Sequence, residues 1–221
     1  MILEIKSIKL IRNDKLVFNK FNLKLMKYQT LILVGDNGSG KSSLLDLIVG
    51  VLNPLDGKIK INKKNINELG VLKKKVFTYI PHKDSLKENL TIRENLEIWL
   101  DLLNISYTKE GFKKKLSFFN LYNGKDINVG NLSHGQRKKV SLTKLLFSNT
   151  NLWLLDEPIN GLDKKSSSNL IKLINNKSKE GGSIIISSHI DLKIKKSKKV
   201  ILSNSSFQNK KNNNFDTWLN L

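Results

Sequence analysis

The 221-residue chain contains no cysteine and no apolar stretch long enough to cross a membrane. Without cysteine there can be no disulfide, no thiolate metal site and no cysteine nucleophile, which fits a reducing compartment. A membrane-spanning helix needs about 18 consecutive apolar residues, and no run in the sequence approaches that length. Residues 1–6 also lack the basic-then-apolar order of a signal peptide. We therefore expect a soluble or peripherally attached protein.

Acidic residues are scarce: 19 Asp and Glu stand against 39 Lys and Arg, which gives a formal net charge of +20. Such a balance attracts polyanions, including nucleic acid, anionic lipid and nucleotides. Biased composition is a second interpretation, because Lys, Asn, Ile and Ser are abundant throughout and Arg is scarce, as an AT-rich genome would encode. We favour this interpretation and expect no nucleic-acid partner, since no interleaving of aromatic and basic residues accompanies the charge.

The segment Gly35–Ser42 fits the pattern G-x-x-x-x-G-K-[ST] of a phosphate-binding loop. The apolar run 30–34 before it is typical of a buried strand, and the apolar residues of 43–49 recur at helical spacing, so an ordinary glycine turn is disfavoured. Loop N–H groups and the helix N-terminus can face one anion. We expect Lys41 to reach the β- and γ-phosphates of a nucleoside triphosphate and Ser42 to ligate Mg²⁺. The residues predicted to bind the nucleotide here are Gly35, Asp36, Asn37, Gly38, Ser39, Gly40, Lys41, Ser42 and Ser43.

Strands alternating with helices predict an α/β fold with a mainly parallel sheet. Residues 2–26 alternate apolar and polar, which predicts an N-terminal antiparallel β layer with a turn at 13–14. Further strands are predicted at 58–61, 76–80, 151–155, 183–187 and 199–202, and helices at 135–148 and 162–176. Thr91–Glu94 is a capping-box pattern that begins a helical stretch, and a second covers 108–121. We predict one domain, with an α/β core at 1–83 and 132–221, a helical insert at 84–131 and a polar tail at 204–221.

Two acidic residues, Asp156 and Glu157, follow the apolar strand 151–155. Open α/β sheets place their sites at the carboxyl ends of strands. Asp156 is positioned to hold Mg²⁺ directly or through water, and Glu157 to orient and polarise a water for attack on a γ-phosphate. Taken alone, a helix N-cap explains these acids equally well. Together with the phosphate loop they indicate catalysis.

Five motifs in order resemble those of ATP-binding-cassette (ABC) ATPases. Besides the phosphate loop and acidic strand, 132–136 resembles the signature, 160–163 the D-loop and 188–189 the switch histidine. The resemblance implies a head-to-tail homodimer that sandwiches two ATP molecules, each between one chain's phosphate loop and the other's signature. It implies that His189 contacts the γ-phosphate and holds the attacking water. The remaining residues that it assigns to the nucleotide site are Ser133, Gly135, Gln136 and Asp163.

Two positions depart from the family pattern. Arg12 stands where an aromatic residue commonly stacks on adenine, and its planar guanidinium can stack instead or be solvated. Lys83 stands in the place of a metal-sensing glutamine, within the run 80–84. An ammonium cannot ligate Mg²⁺, so either the water network differs or the correspondence is one residue out of step. We expect a slow but competent ATPase, and count both residues among the nucleotide-site candidates.

Three passages further resemble the ATP-binding subunit of the haem exporter of cytochrome c maturation: 84–99, 135–145 and 152–158. That resemblance implies a peripheral ATPase subunit coupled to separate membrane permease chains. Its expected location is the cytoplasmic face of the inner membrane or the equivalent face of an organelle membrane. Alternatives are an exporter of lipid, lipoprotein or drug, a nucleotide-binding subunit with little turnover, and a non-transport cassette acting on ribosome or nucleic acid.

Overall fold

The computed structural model describes residues 2–190 and 192–203, which form two sheets, a group of helices between and beside them, and short 3₁₀ turns. In chain order the elements are β1 (Leu3–Arg12), β2 (Lys15–Leu25), β3 (Thr30–Val34), α1 (Lys41–Val49), β4 (Asp56–Ile61), β5 (Lys64–Asn65), α2 (Lys73–Val76), β6 (Phe77–Ile80), α3 (Ile92–Leu102), α4 (Lys109–Phe118), α5 (His134–Phe147), β7 (Leu152–Asp156), α6 (Lys164–Lys179), β8 (Ser183–Ser188) and β9 (Ser197–Ile201).

The N-terminal layer is a four-stranded antiparallel sheet in the order β2-β1-β4-β5, as the alternating pattern predicts. Leu3 pairs with Leu25 at one end of the β1–β2 hairpin, and Arg12 pairs with Lys15 at the other. The turn between them is Asn13-Asp14, and both residues have positive φ, at 49° and 58°. Asn and Asp tolerate this conformation, and such two-residue turns match the natural twist of a hairpin.

The second sheet is entirely parallel, in the order β6-β7-β8-β3-β9. Every residue of β7 and of β8 is buried, because helices cover the sheet and leave these central strands no contact with solvent. Since the strands are parallel, the carboxyl ends of β3, β7 and β8 lie side by side. The segments that leave those three ends carry the phosphate loop, the acidic pair and His189.

The first helix of the predicted insert, α3, begins at the predicted capping box. Thr91 caps α3, its hydroxyl accepting from the backbone N–H of Glu94, while the Glu94 carboxylate accepts from the N–H of Thr91. Asn95 is buried behind this cap, where its amide bonds the carbonyls of Lys87 and Leu90 and thereby fixes the loop before α3. The insert packs on α5 through aromatic and aliphatic side chains. The division at residues 84 and 131 stays a prediction.

Several element boundaries differ from the predicted ones. Val76 ends the one-turn helix α2, so the strand predicted at 76–80 begins one residue later. The helix predicted at 162–176 begins at Lys164, because Asp163 is its N-cap, and it continues to Lys179. The strand predicted at 199–202 runs from Ser197 to Ile201. The predicted polar tail lies outside the described residues. Within 2–190 and 192–203, none of the helices has the length and apolarity that crossing a membrane requires.

Candidate nucleotide-binding site

A cleft of about 980 Å³ opens at the carboxyl ends of β3, β7 and β8. It brings together segments that are far apart in the sequence, from the β1–β2 hairpin to the residue that follows β8. The residues that line it are Arg12, Asn13, Lys15, Val17, Val34, Gly35, Asp36, Asn37, Gly38, Gly40, Lys41, Ser42, Ser43, His82, Glu157, Asn160 and His189.

The phosphate-binding loop wraps around the ammonium group of Lys41. Its Nζ donates to the carbonyl of Gly35 at 2.6 Å and to that of Asp36 at 2.9 Å, and the side chain is only 5% exposed. Gly40 caps α1 with φ at 95°, a conformation open to glycine, and a Cβ there would lie 2.8 Å from Val17. The loop therefore concentrates positive charge and backbone N–H groups at the start of α1.

The three serines of the loop differ in their surroundings. Ser42 lines the cleft in the first turn of α1. Ser43 also lines it, and its hydroxyl accepts a hydrogen bond of 3.1 Å from Nη1 of Arg12. Ser39 does not line the cleft; its hydroxyl is buried and has no hydrogen-bond partner among the described residues. Any contribution of Ser39 to ligand binding therefore comes from its backbone.

Asp156 and Glu157 are both held by Ser187 of the neighbouring strand β8. The Ser187 hydroxyl donates to Oδ1 of Asp156 and accepts from the backbone N–H of Glu157 at 2.8 Å. Asp156 is 1% exposed, whereas Glu157 lines the cleft with 13% of its side chain exposed. Glu157 has a positive φ of 43°, which is uncommon for a residue with a side chain. One serine of β8 therefore fixes a buried acid and a cleft-lining acid side by side.

His189 follows β8 and reaches the same place from the neighbouring strand. Its Nδ1 lies 3.1 Å from Oε2 of Glu157, and 46% of its side chain is exposed. The sequence predicts both residues for this site, and the structure brings them together. The amide of Asn160, which the sequence interpretation missed, also donates to Oε2 of Glu157.

The signature residues lie at the start of α5 and do not line the cleft of their own chain. Ser133 caps this helix: its hydroxyl accepts from the N–H of Gln136, and the Gln136 side chain accepts from the N–H of Ser133. Both side chains are exposed. Gly135 lies against the turn after β7, where an added Cβ would stand 2.4 Å from the carbonyl oxygen of Gly161.

Asp163 does not line the cleft of its own chain either, although the resemblance had assigned it to the nucleotide site. It caps α6 by accepting from the N–H of Ser166 at 2.8 Å, and Oδ2 lies 2.6 Å from Nζ of Lys139. The hydrogen bond from Lys139 has the largest effect, followed by those from Ser166, and together they hold the pKa of the Asp163 carboxyl well below its usual range. In its own chain, Asp163 thus connects α6 to α5.

Lys83 lies in the loop after β6, and its assignment to the nucleotide site stays a prediction. Its side chain is exposed and does not line the cleft, where the preceding residue, His82, does. The buried ammonium of Lys138 donates to the carbonyls of Pro81 at 3.2 Å and His82 at 3.4 Å, so α5 fixes this loop. Burial lowers the pKa of Lys138. The apolar spacing of α5 gave no signal of a buried lysine in its middle.

Comparison with known proteins was made on sequence and on structure. The family model for ABC transporters matches residues 18–160. The cytochrome c biogenesis ATP-binding export protein CcmA of Reclinomonas americana is 38% identical over 208 residues, which is 92% of each chain. The protein of the same name from Wolbachia pipientis wMel is 33% identical over 187 residues, or 85% of this chain and 89% of that one.

Two solved structures show the same fold. A putative ABC transporter ATP-binding protein from Pyrococcus furiosus superposes with a TM-score of 0.78 at 26% identity, covering 91% of this chain and 98% of that one. The ATP-binding cassette MJ0796, in a dimeric post-hydrolysis state with ADP and Pi, superposes with a TM-score of 0.80 at 20% identity, covering 91% and 94%. From the family match and these identities, the chain belongs to the ABC transporter family, as an ATP-hydrolysing subunit.

Proposed function

We propose that this chain hydrolyses ATP in a head-to-tail dimer to drive a separate membrane permease that exports haem for cytochrome c biogenesis. The observation that carries the hydrolysis is the meeting of the phosphate loop, Glu157 and His189 at one cleft. The cargo rests on the relatives named for cytochrome c biogenesis and export, because they match this chain over most of its length.

The loop from Gly35 to Ser43 would bind the triphosphate through its N–H groups, the Lys41 ammonium and the start of α1. Lys41 already lies across the loop, so it would exchange its carbonyl partners for β- and γ-phosphate oxygens with little movement. The guanidinium of Arg12 lines the cleft and donates to the hydroxyl of Ser43, and its planar face would stack on the adenine ring. This arrangement would bind ATP along the cleft from base to γ-phosphate.

The residues present fit Mg²⁺. Ser42 supplies a hydroxyl from the first turn of α1, and Asp156 a buried carboxylate with one oxygen bonded to Ser187. No cluster of three or more His, Cys, Asp or Glu among the described residues could hold a metal by itself. Mg²⁺ keeps waters and takes phosphate oxygens besides one or two protein ligands, so Ser42 and Asp156 together would be enough to hold it. When bound, the ion would neutralise charge on the β- and γ-phosphates.

Glu157 would orient and polarise the water that attacks the γ-phosphorus, while the bond from phosphorus to the β-phosphate bridging oxygen breaks. Its carboxylate lies in the cleft, and its backbone N–H is fixed by Ser187. His189 would contact the γ-phosphate from the end of β8 and help to hold the same water. Positioning of this kind supplies most of the catalysis in phosphoryl transfer, since the transition state needs little covalent help.

The signature would serve the nucleotide of a second copy. Ser133 and the N–H of Gly135 lie at the N-terminus of α5, which suits a γ-phosphate approaching from another chain. Gln136 and Asp163 hold this surface in shape, the first through the cap of α5 and the second through the cap of α6. Their distance from the cleft of their own chain supports a site completed between two copies.

Such a permease partner would hold the protein peripherally, at the cytoplasmic face of the inner membrane or the equivalent face of an organelle membrane. To test the cargo, the tagged protein is recovered from its native membranes and its partners are identified by mass spectrometry. Recovery of cytochrome c maturation membrane subunits is expected. Recovery of a different permease would replace the haem cargo, and ribosomes or repair proteins that survive a high-salt wash would overturn the transport role.

Hydrolysis itself is tested with the purified chain, by measuring phosphate release from ATP with and without Mg²⁺. We expect Mg²⁺-dependent turnover that Lys41→Ala abolishes. Lys172→Ala provides the matched control, because Lys172 is exposed on α6 and far from the cleft. Turnover that survives Lys41→Ala would show that the activity does not arise at this cleft.

A further inference from the structure

The turn that follows β7 contains a cleft residue that the proposed mechanism does not use. Asn160 lines the cleft, half-buried, and its Nδ2 donates a hydrogen bond to Oε2 of Glu157. The same oxygen lies 3.1 Å from Nδ1 of His189. The Glu157 carboxylate is therefore held between two nitrogen atoms, one from the turn after β7 and one from the end of β8.

The backbone fixes Asn160 on both sides. Its N–H donates to the carbonyl of Glu157 at 3.2 Å, which closes the turn that contains Pro158. On the other side, Gly161 has φ at 77° and packs against the signature helix, where an added Cβ would lie 2.5 Å from Nδ1 of His134. The amide of Asn160 thus has little freedom to leave the carboxylate.

The two nitrogen partners of Glu157 differ in what they can donate. Nδ1 of His189 donates only when the imidazole is protonated or in the tautomer that carries hydrogen on that atom. Nearly half of the His189 side chain is exposed, and its proposed task includes contact with the γ-phosphate. An asparagine amide always carries two donor hydrogens. Asn160 is therefore the partner that can hold the carboxylate through every stage of the cycle.

We propose that Asn160 is a positioning residue that fixes the Glu157 carboxylate in the direction from which it orients the attacking water. This inference rests on the proposed role of Glu157. The amide and His189 both meet Oε2, so Oε1 is the oxygen that would accept from the attacking water. Because the interaction is with the protein's own carboxylate, its loss affects the chemical step and leaves binding of ATP intact.

The test compares three substitutions by steady-state hydrolysis. Asn160→Ala removes the donor and is expected to lower kcat about ten- to a hundredfold, the range that misplacement of a catalytic group causes, with KM for ATP unchanged. Asn160→Asp keeps the shape but places a second acceptor beside the carboxylate, so it is expected to be at least as slow. Asn160→Gln keeps an amide and is expected to recover part of the rate. Equal rates for the Asp and Gln variants would overturn the proposal.

Asn175→Asp is the matched control for the added charge. Asn175 lies on α6 outside the cleft, where its Oδ1 accepts from the N–H of Lys195, and an aspartate can still accept there. This variant is expected to hydrolyse ATP at the wild-type rate. Thermal unfolding of every variant separates slow chemistry from loss of the fold, and binding of a fluorescent ATP analogue checks the cleft directly.

A double variant decides whether Asn160 acts through Glu157. In a Glu157→Gln background, Asn160→Ala should cause no further loss of the residual single-turnover rate, because the carboxylate that it positions is absent. A loss as large as in the wild-type background would show that Asn160 acts by another route and would overturn the inference. A wild-type chain that hydrolyses no ATP would overturn the proposed function itself, whereas wild-type turnover that Asn160→Ala leaves unchanged would overturn this inference alone.

Discussion

Lys139 and Asp163 form an ion pair, with Nζ 2.6 Å from Oδ2, that joins the start of α5 to the start of α6. Asp163 is the N-cap of α6 and Lys139 lies in the second turn of α5, so the pair fixes the signature helix relative to α6. Two predictions concern charged groups of this region, and three concern the cleft.

Asp163→Asn should lower the melting temperature at pH 7, because an amide cannot replace the charge opposite Lys139. The folded pKa of Asp163 is depressed, so its stabilisation is present above the unfolded pKa, near 4, and is lost as pH falls below it. The difference in melting temperature should therefore shrink as pH is lowered from about 5. Circular dichroism at several pH values checks this, and a constant difference would contradict it.

Lys144 should also make the protein more stable as pH rises, but in the alkaline range rather than the acidic one. Burial in α5 lowers its pKa to about 8, with Asp84 opposing the effect. Since the unfolded chain binds this proton more tightly, the folded state gains stability as pH rises from about 8 to about 10. Lys144→Met should stabilise the protein by about 1–3 kcal/mol at pH 7 and by less at pH 10. Urea unfolding at both pH values measures it, with Lys114→Met as an exposed control.

Lys41→Ala should abolish binding of ATP, because it removes the buried cation at the centre of the phosphate loop. Titration calorimetry with a non-hydrolysable ATP analogue checks this without dependence on turnover. Retained binding at wild-type affinity would show that the loop backbone alone supplies the phosphate contacts.

Glu157→Gln should trap an ATP-bound dimer, because the amide keeps the shape of the side chain but cannot polarise the water. Size-exclusion chromatography with ATP and Mg²⁺ should show a dimer for the variant and mostly a monomer for the wild type. Normal multiple-turnover hydrolysis by this variant would contradict the role of Glu157.

Lys83→Gln should leave both the hydrolysis rate and its Mg²⁺ dependence unchanged, because the Lys83 side chain is exposed outside the cleft. His82→Ala, by contrast, should change the KM for ATP or the kcat, since His82 lines the cleft. Phosphate release over a range of Mg²⁺ concentrations compares the two. A strong effect of Lys83→Gln would restore that residue to the site.

The parts that the sequence predicted are those whose physical cause is local. The strand, glycine loop and helix around Lys41 need only neighbouring residues, and so does the cap at Thr91. The approach of Glu157 and His189 was expected from the resemblance to ABC ATPases, and its physical cause is that parallel strands end at one edge of a sheet, although the order of the strands was not predicted. Alternation likewise indicated the antiparallel layer but not the shifts in its register.

The parts that the sequence did not predict depend on contacts between distant positions. Lys138 is a charged residue in a helix, and only the fold shows its ammonium on the carbonyls of the loop at His82, some 56 residues away. Ser187 was assigned to a strand, but the sequence did not show that its hydroxyl bonds the carboxylate of Asp156 and the backbone N–H of Glu157 at the end of the adjacent strand β7. Irregular loops have no period, so the sequence could not indicate that His82 rather than its neighbour lines the cleft.

Gly135 and Gly161 meet with no space for even a methyl group between the first turn of α5 and the turn after β7. Because no atom fits between them, movement of the start of α5 toward the turn after β7 would also move Asn160 and the carboxylate that it holds. The surface that a second copy would contact and the Glu157 carboxylate are in this way mechanically connected. Binding of a second copy would then affect the position of this carboxylate directly, through the contact between the two glycines.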